Sequence, residues 1–207
     1  MRQIKKLPRD FYERTDVIRI AKDLIGKVLV TNIAGERTSG RIVETEAYEG
    51  VVDKASHAYG GRRTDRTEVM YGRGGVAYVY LCYGIHHLFN VVTHGKDTPH
   101  AILIRGIEPL EGIDVMLERT GKQPGDKSLG RGPGNVSSAL GIHTGQTGLS
   151  LMGREIYIVD DGFAYAPGDI EATPRIGVDY AGEDALLPYR FSVRGHAHVS
   201  KAPRSSR

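Results

Sequence analysis

The chain has 207 residues, 40% of them hydrophobic and 26% charged, with a net charge of +3, one cysteine and no tryptophan. That length suits one domain whose core needs no staples, and the lone Cys82 excludes an intramolecular disulfide and any multi-cysteine metal or iron–sulfur centre. No apolar stretch approaches the roughly 20 residues of a membrane span, and the basic segment Met1 to Asp10 lacks a signal peptide's apolar core, so a cytoplasmic protein without a membrane partner is expected.

Taken in chain order, Thr15 or Asp16 can cap a helix whose Val17, Ile20, Ala21 and Leu24 fall at i, i+3, i+4 and i+7, with Gly26 as the stop. Lys27 to Asn32 and Arg41 to Tyr48 read as strands joined by a hairpin through Ala34, Gly35 and Glu36. Glu49 to Arg73 is polar, rich in Gly and Arg, and too long for an idle connection. Val76 to Tyr83, Phe89 to Thr93 and Ala101 to Arg105 read as three further strands. Pro109 is placed to open a helix with Leu110, Ile113, Met116 and Leu117 on its apolar face, ending near Gly121. Lys122 to Gly134 is a second polar loop, after which Asn135 caps a short helix, Val136 to Leu140. Late strands fit Glu155 to Val159 and Arg190 to Arg194. The pattern predicts one α+β domain over 1–207: a mixed, mainly antiparallel curved sheet, surrounding short helices and long functional loops. The catalytic core is expected over about residues 15–196, with a flexible basic tail at 197–207.

Charge is unevenly distributed. From Pro188 onward there are five basic residues (Arg190, Arg194, Lys201, Arg204, Arg207) and no acidic one, whereas Arg154 to Asp184 holds eight acidic and two basic residues. A cationic face of that kind can meet phosphates. Candidate chemistry begins at Glu44, Glu46 and Tyr48, which share one face if Arg41 to Tyr48 is a strand. His57 and the Gly60 to Arg63 turn follow, then Tyr78, Tyr80 and Tyr83, three tyrosines within six residues. Flat rings with hydrogen-bonding tips beside a histidine and a carboxylate suit a slot for a planar base; packing of strand tyrosines is the plainer alternative.

The string Arg41 to Tyr48 (RIVETEAY), with His57, Gly60, Gly61, Arg62, Thr64, Met70, Tyr78, Tyr80, Tyr83, Gly84, Asn90, Arg105 and Glu108 to Gly112 (EPLEG), resembles the alkyladenine (3-methyladenine) DNA glycosylases in order and spacing, over about Leu24 to Arg194. The resemblance implies a monofunctional base-excision-repair enzyme that works without a cofactor or metal. Its partner would be double-stranded DNA containing damaged purines such as 3-methyladenine, 7-methylguanine, hypoxanthine or ethenoadenine. A monomer is expected, nucleoid-associated if the source is bacterial.

Position by position, the resemblance casts Glu46 as the carboxylate that activates water and Arg105 as the arginine that helps hold it. Tyr48 stacks on one face of the extruded base, His57 and Tyr80 on the other. Tyr83 is the wedge that fills the vacated stack, and Asn90 crowds the 2-amino group of guanine. Thr64 and Met70, with Arg62 and Arg63, lie where the family meets DNA. The chain departs from the family's pattern at Thr67, at Gly74 and Gly75, and at His86 and His87 after the wedge.

The chemistry is coherent with one carboxylate. An N-alkylated purine already carries positive charge and needs no second carboxyl to protonate it, unlike most O-glycosides. Glu44, on the same face as Glu46, is expected in a structural ion pair. Two other readings remain at the sequence level: a helix-hairpin-helix glycosylase using Asp160 or Asp161 behind the Leu129 to Asn135 loop, and a non-catalytic module that stacks bases on its tyrosines. Asp160-Asp161-Gly162 fits a turn better, the glycine-rich loop could be structural or contact phosphate, and the His86-His87 and His196/His198 pairs lack further metal ligands.

Overall fold

The computed structural model describes residues 4–201. Two short elements, β1 (Lys5–Lys6) and α1 (Arg9–Tyr12), precede α2 (Val17–Leu24), which forms where the apolar spacing predicts it. Asp16 rather than Thr15 is the cap: its Oδ1 accepts the Arg19 N–H at 2.8 Å, a bond worth about 1 kcal/mol. Ile20 and Leu24 are fully buried, which contributes roughly 1.5–3 kcal/mol each. Gly26, at φ +88°, takes the left-handed conformation that stops the helix.

The strands are β2 (Val28–Ile33), β3 (Glu36–Tyr48), β4 (Ala77–Cys82), β5 (His86–Thr93), β6 (His100–Glu111), β7 (Ile156–Asp160), β8 (Ile170–Thr173) and β9 (Arg190–Val193). They join β1 in a nine-stranded sheet ordered β1-β7-β2-β3-β6-β5-β4, with β9 bonded to both β3 and β8. Every pairing is antiparallel, so the α+β expectation holds. The β2–β3 hairpin turns on Ala34 and Gly35, both at positive φ, the two-residue geometry that matches strand twist.

The sheet's organising strand is β3. One edge pairs with β6 along most of its length. The other pairs with β2 as far as Arg41 and with β9 from Glu44 to Glu46. The β3–β6 register slips on either side of Glu44, and such bulges bend a strand and re-aim its side chains. Val43 and Ala47 join the main core, and Thr45 donates its hydroxyl to the Ala21 carbonyl of α2 at 2.9 Å. The alternate face is thereby left to Glu44, Glu46 and Tyr48, as the period of two requires.

Several expectations fail locally. Pro109, Leu110 and Glu111 extend β6 instead of opening a helix; α3 is Ile113–Thr120 and starts only after Gly112, at φ +71°. Of the predicted apolar stripe Met116 is buried, whereas Leu110 and Ile113 are exposed. α4 spans Pro133–Leu140, with Pro133 at its first turn; Asn135 lies inside it and donates back to the Arg131 carbonyl at 2.8 Å. The preceding loop is structural at Gly130, where a Cβ would collide with the Ile107 carbonyl oxygen. The expected flexible tail is held at least to Ser200, whose N–H donates to Glu44 at 2.8 Å; Arg204 and Arg207 lie outside the described residues. Among the described residues, no helix is long and apolar enough to cross a membrane.

Candidate active site

Glu46 and Glu44 are fully buried, two residues apart on β3. Glu46 Oε2 accepts the Tyr48 hydroxyl at 2.8 Å and Arg105 Nη1 at 3.3 Å. Its Oε1 accepts the backbone N–H of Ile176 at 2.7 Å. Glu44 Oε1 accepts Arg105 Nε at 3.1 Å and Arg190 Nε at 2.7 Å. Two carboxylates thus face two guanidiniums, a balance that burial demands. Burial raises the Glu44 carboxyl, but Arg105, Arg190 and the Ser200 N–H outweigh it and hold the group below its ordinary value of 4.5. Burial likewise opposes the Arg105 cation, which Glu46 and Glu44 restore. The ion pair expected for Glu44 is present. Arg190, counted with the basic C-terminal face, is instead 3% exposed and spent on Glu44.

Next to this network lies a slot lined by Tyr48, Ala55, Ser56, His57, Met70, Tyr78, Tyr80, Asn90, Ala101 and Tyr180. The sheet supplies Tyr48 from the end of β3, Tyr78 and Tyr80 from one face of β4, and Asn90 from β5 directly opposite Tyr78. The long loop supplies Ala55 to His57. Glu46 does not line the slot; it meets it through the Tyr48 hydroxyl. Burial pushes the Tyr48 phenol well above its ordinary value, with Glu46 adding to the shift, so Tyr48 stays a proton donor in that bond. Asn90 is 3% exposed and gives its amide N–H groups to the Tyr78 and Leu88 carbonyls at 3.2 and 3.1 Å.

His57 packs edge-on to Tyr80 at 4.6 Å between centroids and lies 2.8 Å from the Tyr78 hydroxyl through Nδ1. Burial, then Arg66 and Arg62, lowers the imidazole to about 4, so it is neutral at pH 7. Met70 is 1% exposed and forms slot wall and core, an inward position rather than the DNA-meeting surface expected of it. Thr64 and Arg62 are exposed. Arg63 is exposed but already engaged, bridging Glu68 at 2.6 Å and Asp97 at 3.1 Å. Thr67 is buried and donates to the Arg62 carbonyl at 3.1 Å, bracing this segment from within.

Tyr83 stands apart. It occupies the turn between β4 and β5 at φ +51°, with Gly84 at φ +72°, and 91% of its surface is exposed. Leu81 and Ile85 are exposed beside it.

The sequence reading missed three contributors. Arg66 reaches over the slot, with its guanidinium 4.9 Å from the Tyr80 ring centroid. Arg175 is fully buried against Asp53 through two contacts and lies 4.8 Å from the Tyr48 ring centroid; its neighbour Ile176 provides the N–H on Glu46. Asp53, the third, also accepts the N–H groups of Glu49 and Ala55 and so shapes the loop's entry. A lone arginine deep within the acidic stretch was the available signal for Arg175. Asp160 and Asp161 are not in the slot: they pair with Lys27 at 2.6 Å and Arg41 at 2.8 Å and cap the following turn. Among the described residues, no three His, Cys, Asp or Glu side chains gather as a metal site.

Residues 10–197 match the family model described as methylpurine-DNA glycosylase. The chain is similar to a Chlamydia abortus protein, 50% identical over 89% of this chain and 96% of the relative. It is 47% identical to a Bacillus cereus protein over 94% of this chain and 98% of the relative. A Clostridium perfringens protein is 45% identical over 95% and 99%. Each of the three carries a provisional name as a 3-methyladenine DNA glycosylase.

Proposed function

The chain belongs to the methylpurine-DNA glycosylase family, and from that membership we propose that it extrudes a damaged purine from duplex DNA into the Tyr48–Tyr80 slot and hydrolyses its N-glycosidic bond with water activated by Glu46. The observation that carries this reading is a buried carboxylate, held by three donors and hydrogen-bonded to Tyr48, an aromatic wall of the slot two residues along the same strand. Cleavage passes through an oxocarbenium-like sugar, which a carboxylate both stabilises and supplies with a deprotonated water. Glu46 takes one donor on Oε1 and two on Oε2, and since a carboxylate offers about four lone-pair sites, one on Oε1 is left to take that proton.

The other roles follow from position. Tyr48 on one side and Tyr80 with His57 on the other sandwich the base. Asn90, fixed by two backbone carbonyls, crowds a 2-amino group. Tyr83 enters the duplex. Lys54 and Arg62, on a wider hollow that shares Ser56, His57 and Tyr180 with the slot, face the backbone phosphates. No lysine lines the slot, so an imine intermediate has no evident nucleophile and the product is an abasic strand.

The test incubates the protein with duplexes carrying 3-methyladenine, 7-methylguanine, hypoxanthine or 1,N6-ethenoadenine and chromatographs the released bases. Free base should appear, with strands intact until alkali is added. Binding without release would mean a non-catalytic module, and a borohydride-trapped protein–DNA adduct would overturn the monofunctional assignment.

A further inference from the structure

The Glu46 oxygen with an open lone pair, Oε1, is held by the Ile176 N–H at 2.7 Å. That donor belongs to no regular element. Ile176 lies between the end of β8 at Thr173 and a 3₁₀ turn that begins at Asp179. Its N–H is part of the planar peptide unit that joins it to Arg175, so whatever fixes Arg175 steadies the donor.

Arg175 is fixed from three sides, and its side chain has no exposed surface. Nη1 donates at 2.9 Å to the carbonyl of Ala47, the β3 residue between Glu46 and Tyr48. Nη1 and Nη2 together hold both oxygens of Asp53, which in turn accepts the Glu49 and Ala55 N–H groups of the long loop. Nη2 also donates to the Asp184 carbonyl at 3.1 Å. The guanidinium carbon lies 4.8 Å from the ring centroid of Tyr48, a slot wall. One fork thus ties the donor's peptide to the strand that bears the carboxylate, to the loop that lines the slot and to the turn that follows. Stability alone is a poor account of it. A buried ion pair gains little over well-packed apolar side chains; what a planar fork adds is geometry.

We propose that Arg175 and the Ile176 N–H that it anchors are a positioning device for base excision, holding Glu46 Oε1 in the orientation that takes the proton of the attacking water; the inference rests on the glycosylase reading above. Arg175 acts through Glu46 and not on the reacting atoms. In the step it serves, the water oxygen bonds to C1′ and the water proton passes to Glu46. The C1′–N bond breaks with its electron pair going to the purine, which leaves a cationic alkylpurine neutral. Misplacing a reacting group by 1 Å costs about 100-fold, without any change in how the base is held.

Two variants separate this role from architecture. Arg175→Lys keeps the charge beside Asp53 but cannot span Ala47, Asp53 and Asp184 with one nitrogen. Replacing Ile176 by its α-hydroxy acid puts an ester oxygen in place of the N–H and leaves every side chain intact. The measurements are the single-turnover plateau for the fastest-released lesion of the four above, stopped-flow extrusion of 1,N6-ethenoadenine, and thermal melting. Each variant should lower the plateau by about 10- to 100-fold. The extrusion equilibrium should stay within about threefold of wild type, a change of under 1 kcal/mol. Both changes together should cost no more than the larger alone, because they act on one contact. A purely structural role would lower the melting temperature of Arg175→Lys and leave the plateau of its folded fraction unchanged. That result, a wild-type plateau in the hydroxy-acid variant, or a loss of extrusion that accounts for the lost rate would each overturn the proposal and leave the glycosylase reading standing. Should Arg175→Lys fail to fold, the hydroxy-acid variant decides alone. Wild-type protein that releases no base from any of the four duplexes would overturn both.

Discussion

Glu46 ends in three hydrogen bonds and has no exposed surface, whereas Tyr83 is 91% exposed on a turn of left-handed backbone. The first belongs to a network that draws on β3, β6, β9 and the segment around Ile176. The second rests on a two-stranded hairpin that ends at Cys82 and resumes at His86. The difference teaches where the proposed reaction needs order. A base that removes a proton must be placed before substrate arrives, because reorganising it during the reaction would raise the barrier. A wedge finds its partners only in DNA, so free protein has no reason to cover it. Exposed, grouped apolar side chains of this kind signal a surface meant for a partner.

The comparison is tested most severely at Glu46. Glu46→Gln keeps the shape and one of the two acceptor oxygens and removes the proposed base. Single-turnover excision should fall by roughly 100- to 10,000-fold while lesion-duplex binding persists. Near-normal excision would show that this network is architecture alone.

Glu44→Gln asks how much of the network is stability. Breaking a buried ion pair costs about 3–5 kcal/mol, which for a chain of this size lowers the melting temperature by roughly 6–20 °C. The pH dependence gives a second reading. A carboxyl held below 4.5 contributes stability that is present above that value and lost as pH falls through the lowered one. The gap between wild type and variant should therefore be largest near neutrality and shrink as pH drops below about 4.5. A gap that stays constant in acid would remove Glu44 from the charge network.

Much of this contrast was legible in the chain. The alternation of Arg41 to Tyr48 placed Glu44, Glu46 and Tyr48 on one face, and the Tyr83–Gly84 pair at the end of an aromatic strand announced a turn. What was not legible came from afar. Ile176 reaches Glu46 across 130 residues, and Arg190 reaches Glu44 across 146. No local period encodes such contacts, so Arg190 read as part of a basic surface. Pro109 misled for a related reason. Proline suits a first helical turn but also a strand position whose N–H is not needed, and pairing with Gly40 on β3 decided for the strand. Arg66 was invisible because its neighbours, Arg62 and Arg63, give any arginine there the look of solvated charge.

Tyr83 is where the smallest effect is expected and where the comparison is sharpest. Extruding a nucleotide costs a few kcal/mol of stacking and pairing, and an inserted ring recovers part of it, about 1–3 kcal/mol. Tyr83→Ser should therefore lower the flipping equilibrium by roughly 5- to 150-fold, read by stopped-flow fluorescence of 1,N6-ethenoadenine in duplex DNA. A lesion already in a mismatch has less to lose and should be affected less. Because Tyr83 touches so little protein, its melting temperature should stay within about 2 °C of wild type, as for other exposed substitutions. Tyr83→Gly goes further. A non-glycine residue at φ +51° carries about 1–3 kcal/mol of backbone strain, while glycine loses roughly 0.5–1 kcal/mol in chain entropy on folding. The relief at least offsets the entropy, so this variant should melt no lower than wild type and flip as poorly as the serine variant. Stability and base extrusion would then move independently at Tyr83. A glycine variant that melts well below wild type would show that the tyrosine ring holds the hairpin, and a serine variant that flips normally would assign the wedge to Leu81 or Ile85.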